Sequence, residues 1–201
     1  LKLYQWQYVC FRAANYIFTH LYLQEQVKDL FYLTEEARAK LSDIRKDPDG
    51  ILTTSRMNTT YQVLSKNFIG QIPMHILSSL NMTMATHFNN EKAEYLKGER
   101  SLRNYKKNIP IPFRGTDMTK WKWNEDRRFF EFNLFGLSFR TYLGKDFSDK
   151  KLLLRRMLAG DIQLCSSAMQ LKGHKIYLLA TFRVEKEKHF LDEKVIAEVA
   201  L

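Results

Sequence analysis

The sequence predicts an α+β fold, and three observations support this prediction. Apolar side chains recur at helical spacing through most of residues 5–97. Beyond Pro110, apolar and polar side chains alternate in several short runs, which is typical of strands. The alternation of residues 1–4 (LKLY) predicts one more short strand at the start. The predicted order is therefore a strand, a helical insertion and a β region.

The helical half divides into four predicted helices. An apolar stripe over residues 6–21 marks the first, and Thr34 is placed to cap the second. The third spans residues 58–68 with its apolar side chains facing inward. Pro73 suits the first turn of the fourth helix, and Gly98 suits its end.

The β half contains short strands around one helix. Alternation predicts strands over residues 130–134, 137–143, 162–168 and 176–184. Ser148 and Gly160 are placed to begin and end a short basic helix over residues 150–158. Several short strands around a single helix favour a small barrel or a sandwich.

Positive charge is concentrated in the second half of the chain. The formal net charge is +10, from 32 Lys and Arg against 22 Asp and Glu. Residues 1–91 contribute 9 basic and 8 acidic side chains, and residues 92–201 contribute 23 and 14, a net of +9. This asymmetry indicates a polyanionic partner, because bound phosphates release their counterions. A soluble domain with a high pI accounts for the charge alone equally well.

Cysteine usage and hydropathy indicate a soluble protein of a reducing compartment. Cys10 and Cys165 are far apart in apolar patterns, so we expect two buried thiols in the cytoplasm. No Cys/His cluster has the spacing of zinc ligands, and no apolar run approaches the roughly 18 residues of a membrane span. The chain lacks an initiator Met and stops inside the apolar run 195–201, so we expect it to be a piece of a longer protein.

The densest basic run follows the last predicted helix, and we call it the basic strip. Its cations and one aromatic are Lys97, Arg100, Arg103, Tyr105, Lys106 and Lys107. Cations along an extended segment can follow a phosphate backbone, and an aromatic ring among them can stack on a base. A solvated linker is the alternative, but the strip does not have the Gly- and Ser-rich composition of a flexible linker.

Two further groups of cations lie in the β half, one beside two tryptophans and one on the predicted short helix. The first, here the tryptophan cluster, surrounds Trp121 and Trp123 with Lys120, Lys122, Arg127 and Arg128. Its indoles can stack on bases, and packing at one end of the barrel is the slightly favoured alternative. The second, here the basic helix, presents Lys150, Lys151, Arg155 and Arg156. It suits a phosphate backbone, although a solvated helix face is the default for such a pattern.

The sequence shows no catalytic constellation. The acidic residues are scattered and form no acid/base pair. No Gly-rich phosphate loop follows a strand, and no serine or cysteine has a histidine at a suggestive offset. No catalytic residue and no metal ligand are therefore predicted within this chain.

A set of segments follows in a fixed order along the chain: 73–80 (PMHILSSL), Phe88, 95–98 (YLKG), 104–107 (NYKK), 108–112 (NIPIP), 156–163 (RMLAGDIQ) and 175–182 (KIYLLATF). This set resembles the TnpB family of transposon-encoded RNA-guided nucleases. Its order and spacing best resemble the miniature type V-F CRISPR effectors that derive from that family, over roughly residues 71–201.

The resemblance implies a layout of domains. It assigns residues 1–4 to the first strand of a wedge domain and residues 5–103 to a helical recognition domain inserted after that strand. Residues 104–194 complete the wedge domain, an oligonucleotide-binding-like β-barrel. Residues 195–201 are the truncated start of a RuvC-like nuclease domain. In such proteins guide pairing supplies sequence specificity, and the protein supplies shape and backbone contacts.

The resemblance also implies partners and a compartment. The expected partners are guide RNA, target double-stranded DNA and a second copy of the chain in an asymmetric homodimer. Transcription machinery is a further candidate, and no membrane is expected. The compartment is a prokaryotic cytoplasm. No cofactor is expected in this segment, and Mg²⁺ is expected only if an active RuvC domain lies downstream.

Ala200 is where this chain departs from the family pattern. Aligned from Leu191 and Asp192, the first RuvC-like strand falls on residues 195–201, and Ala200 occupies the position of the first catalytic aspartate. Alanine cannot ligate a metal ion, so the alignment predicts a member without nuclease activity. Glu198 stands where glycine is usual, which favours natural divergence over one engineered change.

Three functional hypotheses follow from the sequence. The first is RNA-guided DNA recognition without cleavage, acting by DNA occupancy or on transcription. The second is an active RNA-guided endonuclease represented without its catalytic domain. The third is a generic single-strand-binding protein with an oligonucleotide-binding-like barrel, which requires no particular structured RNA.

Overall fold

The computed structural model describes residues 2–32, 56–145 and 149–184. Within them lie four α-helices: α1 (Lys2–Tyr32), α2 (Arg56–Phe68), α3 (Met74–Leu96) and α4 (Lys150–Ala159). The described strands are β1 (Ile111–Phe113), β2 (Met118–Asn124), β3 (Phe129–Leu134), β4 (Leu137–Arg140), β5 (Gln163–Leu164), β6 (Ser167–Lys172), β7 (Lys175–Leu179) and β8 (Phe182–Arg183). The mixed α+β class is thereby confirmed.

The strands form three small antiparallel sheets. Their orders are β1-β6-β7, β2-β3-β4 and β5-β8. Within the described residues the three sheets do not close into a barrel. The prediction of a closed barrel is therefore wrong for this part of the chain. An irregularity between Thr119 and Lys122 interrupts the register of β2 on β3, and β5 and β8 pair over Gln163 and Leu164 alone. Barrel closure needs a continuous ladder with a consistent stagger, which these short pairings do not supply.

The strand predicted at residues 1–4 is wrong, because residues 2–4 form the first turn of α1. Leu3 packs against the core, and Trp6 and Cys10 are buried. This spacing of three and four residues continues the apolar face of α1 back to its start. A periodic pattern of that length outweighs an alternation of four residues.

The remaining described helices follow their sequence signals. α2 and α3 confirm the helices predicted over residues 58–68 and from Pro73 onward, and α4 confirms the basic helix. The chain leaves α3 through Gly98 at φ +73° and leaves α4 through Gly160 at φ +88°, a conformation that glycine adopts at little cost. The sites of the Thr34 and Ser148 caps lie outside the described residues. Among the described helices, none has both the length and the apolar character needed to cross a bilayer.

One apolar core joins helices α1, α2 and α3 to two of the sheets. Phe18 of α1 and Phe88 of α3 are fully buried, with ring centroids 5.8 Å apart. The same cluster continues through Phe113 of β1, Phe132 of β3 and Met169 of β6. Removing this apolar surface from water holds α3 against β1. The segment between them, residues 97–110, is thereby held beside α1.

The two cysteines differ in environment. Cys10 is fully buried in the helical part of the core, and burial raises the pKa of its thiol to about 12. Cys165 is only partly buried, and its Sγ lies 3.8 Å from the carbonyl oxygen of Gln163. The expectation of a buried thiol therefore holds for Cys10 and fails for Cys165.

Candidate nucleic-acid interface

Trp123 brings the tryptophan cluster and the basic helix together. Its indole lies on β2 opposite Phe130 of β3, with ring centroids 4.6 Å apart. Lys151 Nζ lies 4.8 Å from the centre of that indole, and Arg155 Cζ lies 5.3 Å from it. Residues four apart on a helix share a face, so α4 presents both cations to the same ring. Two segments separated in sequence thus form one surface.

Further exposed cations lie on the turn between β2 and β3, beside the exposed Glu125 and Asp126, and on α4. Arg127 and Arg128 are exposed in the turn between β2 and β3, where the Arg127 backbone N–H donates to Asn124 Oδ1 at 3.1 Å. Lys150 and Arg156 are exposed on α4. We call this set the hairpin–helix surface, and its members are Trp123, Arg127, Arg128, Lys150, Lys151, Arg155 and Arg156.

Local sequence explains how α4 reaches the hairpin. Leu154 is its buried anchor. Gly160 follows the last residue of the helix, and its N–H donates to the carbonyl oxygen of Met157 at 3.2 Å. The N–H of Asp161 donates to the carbonyl oxygen of Arg156 at 2.9 Å. With Leu154 inward, Lys151 and Arg155 lie on the flank that meets Trp123.

The two lysines of β2 make weaker candidates. Lys122 forms an ion pair with Glu131 across the β2–β3 ladder, with Nζ 2.7 Å from Oε2. A neighbouring carboxylate neutralises part of the charge that a phosphate would meet. Lys120 is exposed at the irregularity of β2, in a left-handed conformation with φ +55°. Its charge is accessible but lies on a distorted strand.

Trp121 belongs to an aromatic stack that packs the second sheet. Its indole stacks on Phe132 at 4.4 Å, and Phe132 stacks on Phe139 at 5.3 Å, across β2, β3 and β4. Both ring pairs join the apolar core. The packing role that the sequence left open therefore fits Trp121 better than base stacking does.

The arginines of the basic strip are engaged by acidic side chains of α3. Arg103 Nε donates to Glu91 Oε2 at 3.2 Å, and its Nη2 contacts Glu91 Oε1. Arg100 lies 3.4 Å from Glu91 and donates to Glu94 Oε2 at 3.1 Å. The Tyr95 hydroxyl and then Arg103 hold the pKa of Glu91 below its ordinary value, so this carboxylate stays charged. The strip is thus partly neutralised from within.

Tyr105 is a packing residue and not an exposed stacking platform. Its ring meets Phe18 edge to face at 5.2 Å, and its hydroxyl lies 3.0 Å from His87 Nδ1. Burial raises the pKa of Tyr105 to about 12. The proposal that this ring stacks on a base therefore conflicts with its position.

Asn15 fixes the strip to α1. Its side chain bonds both backbone groups of Tyr105: Oδ1 accepts from the N–H at 2.8 Å, and Nδ2 donates to the carbonyl oxygen at 3.1 Å. Gln7 donates to the carbonyl oxygen of Ile109 at 3.2 Å. The next cations, Lys106 and Lys107, are exposed, and Lys107 Nζ lies 6.0 Å from the ring of Tyr8. Lys97, also exposed, lies 3.9 Å from Glu99.

The sequence analysis missed Glu91 and Asn15. Glu91 is the first acidic residue after Asp49 and precedes the basic strip by six residues, which was its available signal. Asn15 offered no such signal, because an asparagine in a helix resembles any solvated polar residue.

Asp117 lies in the turn after β1. It accepts from the backbone N–H of Arg114 at 2.8 Å and lies 2.6 Å from His75 Nδ1. That pair anchors the turn after β1 to α3.

The part of the chain that the structure describes contains no group of three or more His, Cys, Asp or Glu arranged to hold a metal ion. Ala200 lies outside the described residues, as does the whole predicted RuvC-like start. The fold and the surface define a mixed α+β protein with a cationic hairpin–helix surface. No family model matches the chain. None of the curated proteins compared with it matches either.

Proposed function

We propose that this protein binds nucleic acid through phosphate contacts at the hairpin–helix surface. The observation that carries the proposal is the contact of two α4 cations, Lys151 and Arg155, with the indole of Trp123 on the distant strand β2. A phosphate backbone presents regularly spaced negative charge, and a rigidly held group of cations matches it and releases counterions. We include Arg127 and Arg128, which are exposed on the turn that follows the strand of Trp123.

In its finer form, the proposal is guide-RNA binding and RNA-guided DNA recognition of the type V-F or TnpB kind, without DNA cleavage. The ordered segments over residues 71–201 support it, and the position of Ala200 supports the absence of cutting. The described sheets and helices would then be a recognition and wedge region holding guide RNA and target duplex. A second copy of the chain and transcription machinery are the proposed protein partners.

Recovering the bound RNA from cells tests this proposal. The tagged full chain is purified from its host under mild salt, and the co-purified RNA is sequenced. We expect one structured RNA species to be enriched over a tag-only control. A broad mixture of RNAs would instead favour a generic single-strand-binding protein, and no enrichment of RNA would contradict the proposal.

A matched pair of variants ties the result to the surface. Lys151→Ala/Arg155→Ala removes two cations from the hairpin–helix surface, and Lys172→Ala/Lys175→Ala removes two exposed cations from the β6–β7 hairpin. We expect the first variant to recover much less RNA and the second to recover as much as the wild type.

A cleavage assay distinguishes the endonuclease alternative from recognition without cleavage. Full-length protein is incubated with guide, target DNA and Mg²⁺, and guide-dependent cleavage would establish the endonuclease.

A further inference from the structure

Helix α1 exposes aromatic rings on a face where polar side chains are usual. Tyr8 is 49% exposed and Tyr16 is 37% exposed. Arg12 is exposed midway between them, four residues from each. Residues four apart lie on the same side of a helix, and the two tyrosines are about 12 Å apart along its axis. An aromatic, a cation and an aromatic therefore follow one another along this face.

The surroundings of this face are cationic. Residues 2–24 contain no acidic side chain, and the first acid of α1 is Glu25. Lys107 adds its ammonium 6.0 Å from the ring of Tyr8. Because Asn15 holds the backbone of Tyr105, the exposed end of the basic strip is fixed beside α1. The face thus pairs accessible rings with positive charge.

Neighbouring side chains hold this face in place without covering it. Tyr16 stacks on His20 with ring centroids 6.0 Å apart and meets Phe68 edge to face at 6.4 Å. The Arg12 guanidinium lies 5.6 Å from the ring of Phe68. These contacts restrict the rotamers of Tyr16 and Arg12, so little conformational entropy remains to be lost when a ligand binds.

We propose that the Tyr8–Arg12–Tyr16 face of α1, together with Lys107, binds a single-stranded stretch of nucleic acid. Bases stack on the two tyrosines, and phosphates contact Arg12 and Lys107. The inference rests on the proposed nucleic-acid binding and adds to it a site for unpaired strand. A duplex hides its base faces, so this site favours single strands. At roughly 3.4 Å per stacked nucleotide, the two rings span about three to four nucleotides.

Fluorescence anisotropy with a labelled single-stranded uridine oligonucleotide tests this site. Tyr8→Ala/Tyr16→Ala should weaken binding about 25-fold or more, because it removes two base stacks and each is worth about fivefold to a hundredfold in affinity. The salt dependence should stay unchanged, since no charge is removed. Arg12→Ala should lower the salt slope by about one. Tyr8→Phe/Tyr16→Phe, which keeps both rings, should bind like the wild type.

Tyr142→Ala is the matched control, because Tyr142 is 96% exposed and lies outside this face. It should bind like the wild type. Wild-type affinity in Tyr8→Ala/Tyr16→Ala would overturn the inference and leave the proposed function standing. Failure of the wild type to bind any oligonucleotide would overturn both. If the wild type is a dimer, and Tyr8→Ala/Tyr16→Ala is a monomer that keeps wild-type affinity for the oligonucleotide, the inference is overturned and the face is a protein interface.

Photocrosslinking of the unmodified protein avoids any effect of substitution on folding. The full chain is irradiated with a 4-thiouridine oligonucleotide, and the adducts are mapped by mass spectrometry. Adducts on Tyr8 or Tyr16 would support the inference. Adducts confined to other segments would contradict it.

Discussion

Arg103 of the basic strip grips Glu91 of α3 through two guanidinium nitrogens, and Arg100 shares the same carboxylate. A carboxylate in the fork of an arginine occupies the place that a phosphate oxygen would take. Part of the positive charge of the basic strip is therefore neutralised by carboxylates of the preceding helix, α3. Any polyanion that uses these arginines must compete with Glu91.

Glu91→Gln should increase nucleic-acid affinity, because it frees Arg103 and leaves Arg100 paired with Glu94, while an amide oxygen remains beside Tyr95. The slope of log Kd against log salt should steepen by about one to two units, one for Arg103 and up to one for Arg100. Anisotropy titrations at several salt concentrations measure this change. Glu94→Gln is the control, because Glu94 contacts Arg100 alone and should have the smaller effect. An unchanged slope in Glu91→Gln would show that the two arginines take no part in binding.

Tyr105 should make folding stability fall at high pH. Its folded-state pKa is raised from the ordinary 10.0 to about 12, so its contribution is fully present below pH 10. Between those two values the unfolded chain loses the proton and the folded chain keeps it, so stability declines. Chemical denaturation from about pH 9 to 12 should show a smaller decline in Tyr105→Phe. Equal declines in both proteins would contradict the partly buried position of this hydroxyl.

Asn15→Ala should destabilise the fold by about 2 kcal/mol, because it removes the partners of two partly buried backbone groups of Tyr105. Urea denaturation measures the change. Asn67→Ala is the matched control, because Asn67 is exposed and its Nδ2 bonds only Val63 of its own helix. That variant should stay within about 0.5 kcal/mol of the wild type. Equal stability of the two variants would argue against α1 anchoring the strip.

A double-mutant cycle should reveal coupling between Trp123 and Arg155. Trp123→Leu and Arg155→Met remove the ring and the cation separately, and the cycle isolates their interaction. We expect a coupling of about 0.5–1 kcal/mol, typical of an exposed cation over an indole. The same cycle with Arg127→Met should give a value near zero, because in the part of the chain that the structure describes the Trp123 ring meets Lys151 and Arg155 and not Arg127. Indistinguishable couplings would mean that α4 is not held by this ring.

Local periodicity predicted much of the fold and little of how its parts meet. The helices over residues 56–68 and 74–96 follow from apolar spacing that extends over several turns, and Gly98 ends the second. Barrel closure depends on pairing between distant strands, which alternation within each strand does not specify. The prediction of a strand at residues 1–4 was wrong because an alternation of four residues cannot outweigh a helical stripe of apolar side chains that continues through Trp6.

The candidate site was predictable in composition but not in pairing. The cations of α4 and of the β2–β3 turn were evident, yet the contact of Lys151 and Arg155 with Trp123 depends on the tertiary packing of α4. The strip was evident too, but the left-handed turn at Gly98 folds Arg100 and Arg103 back toward Glu91. Sequence separation alone gives no sign of this reversal.

The salt dependence of RNA affinity tests the central claim most directly. Kd is measured for one structured RNA over a range of KCl concentrations, with the wild type, Lys151→Ala/Arg155→Ala and Lys172→Ala/Lys175→Ala. If the hairpin–helix surface binds phosphates, the first variant should lose about two units of slope, and the β6–β7 variant should lose none. Equal slopes for all three proteins would contradict the account.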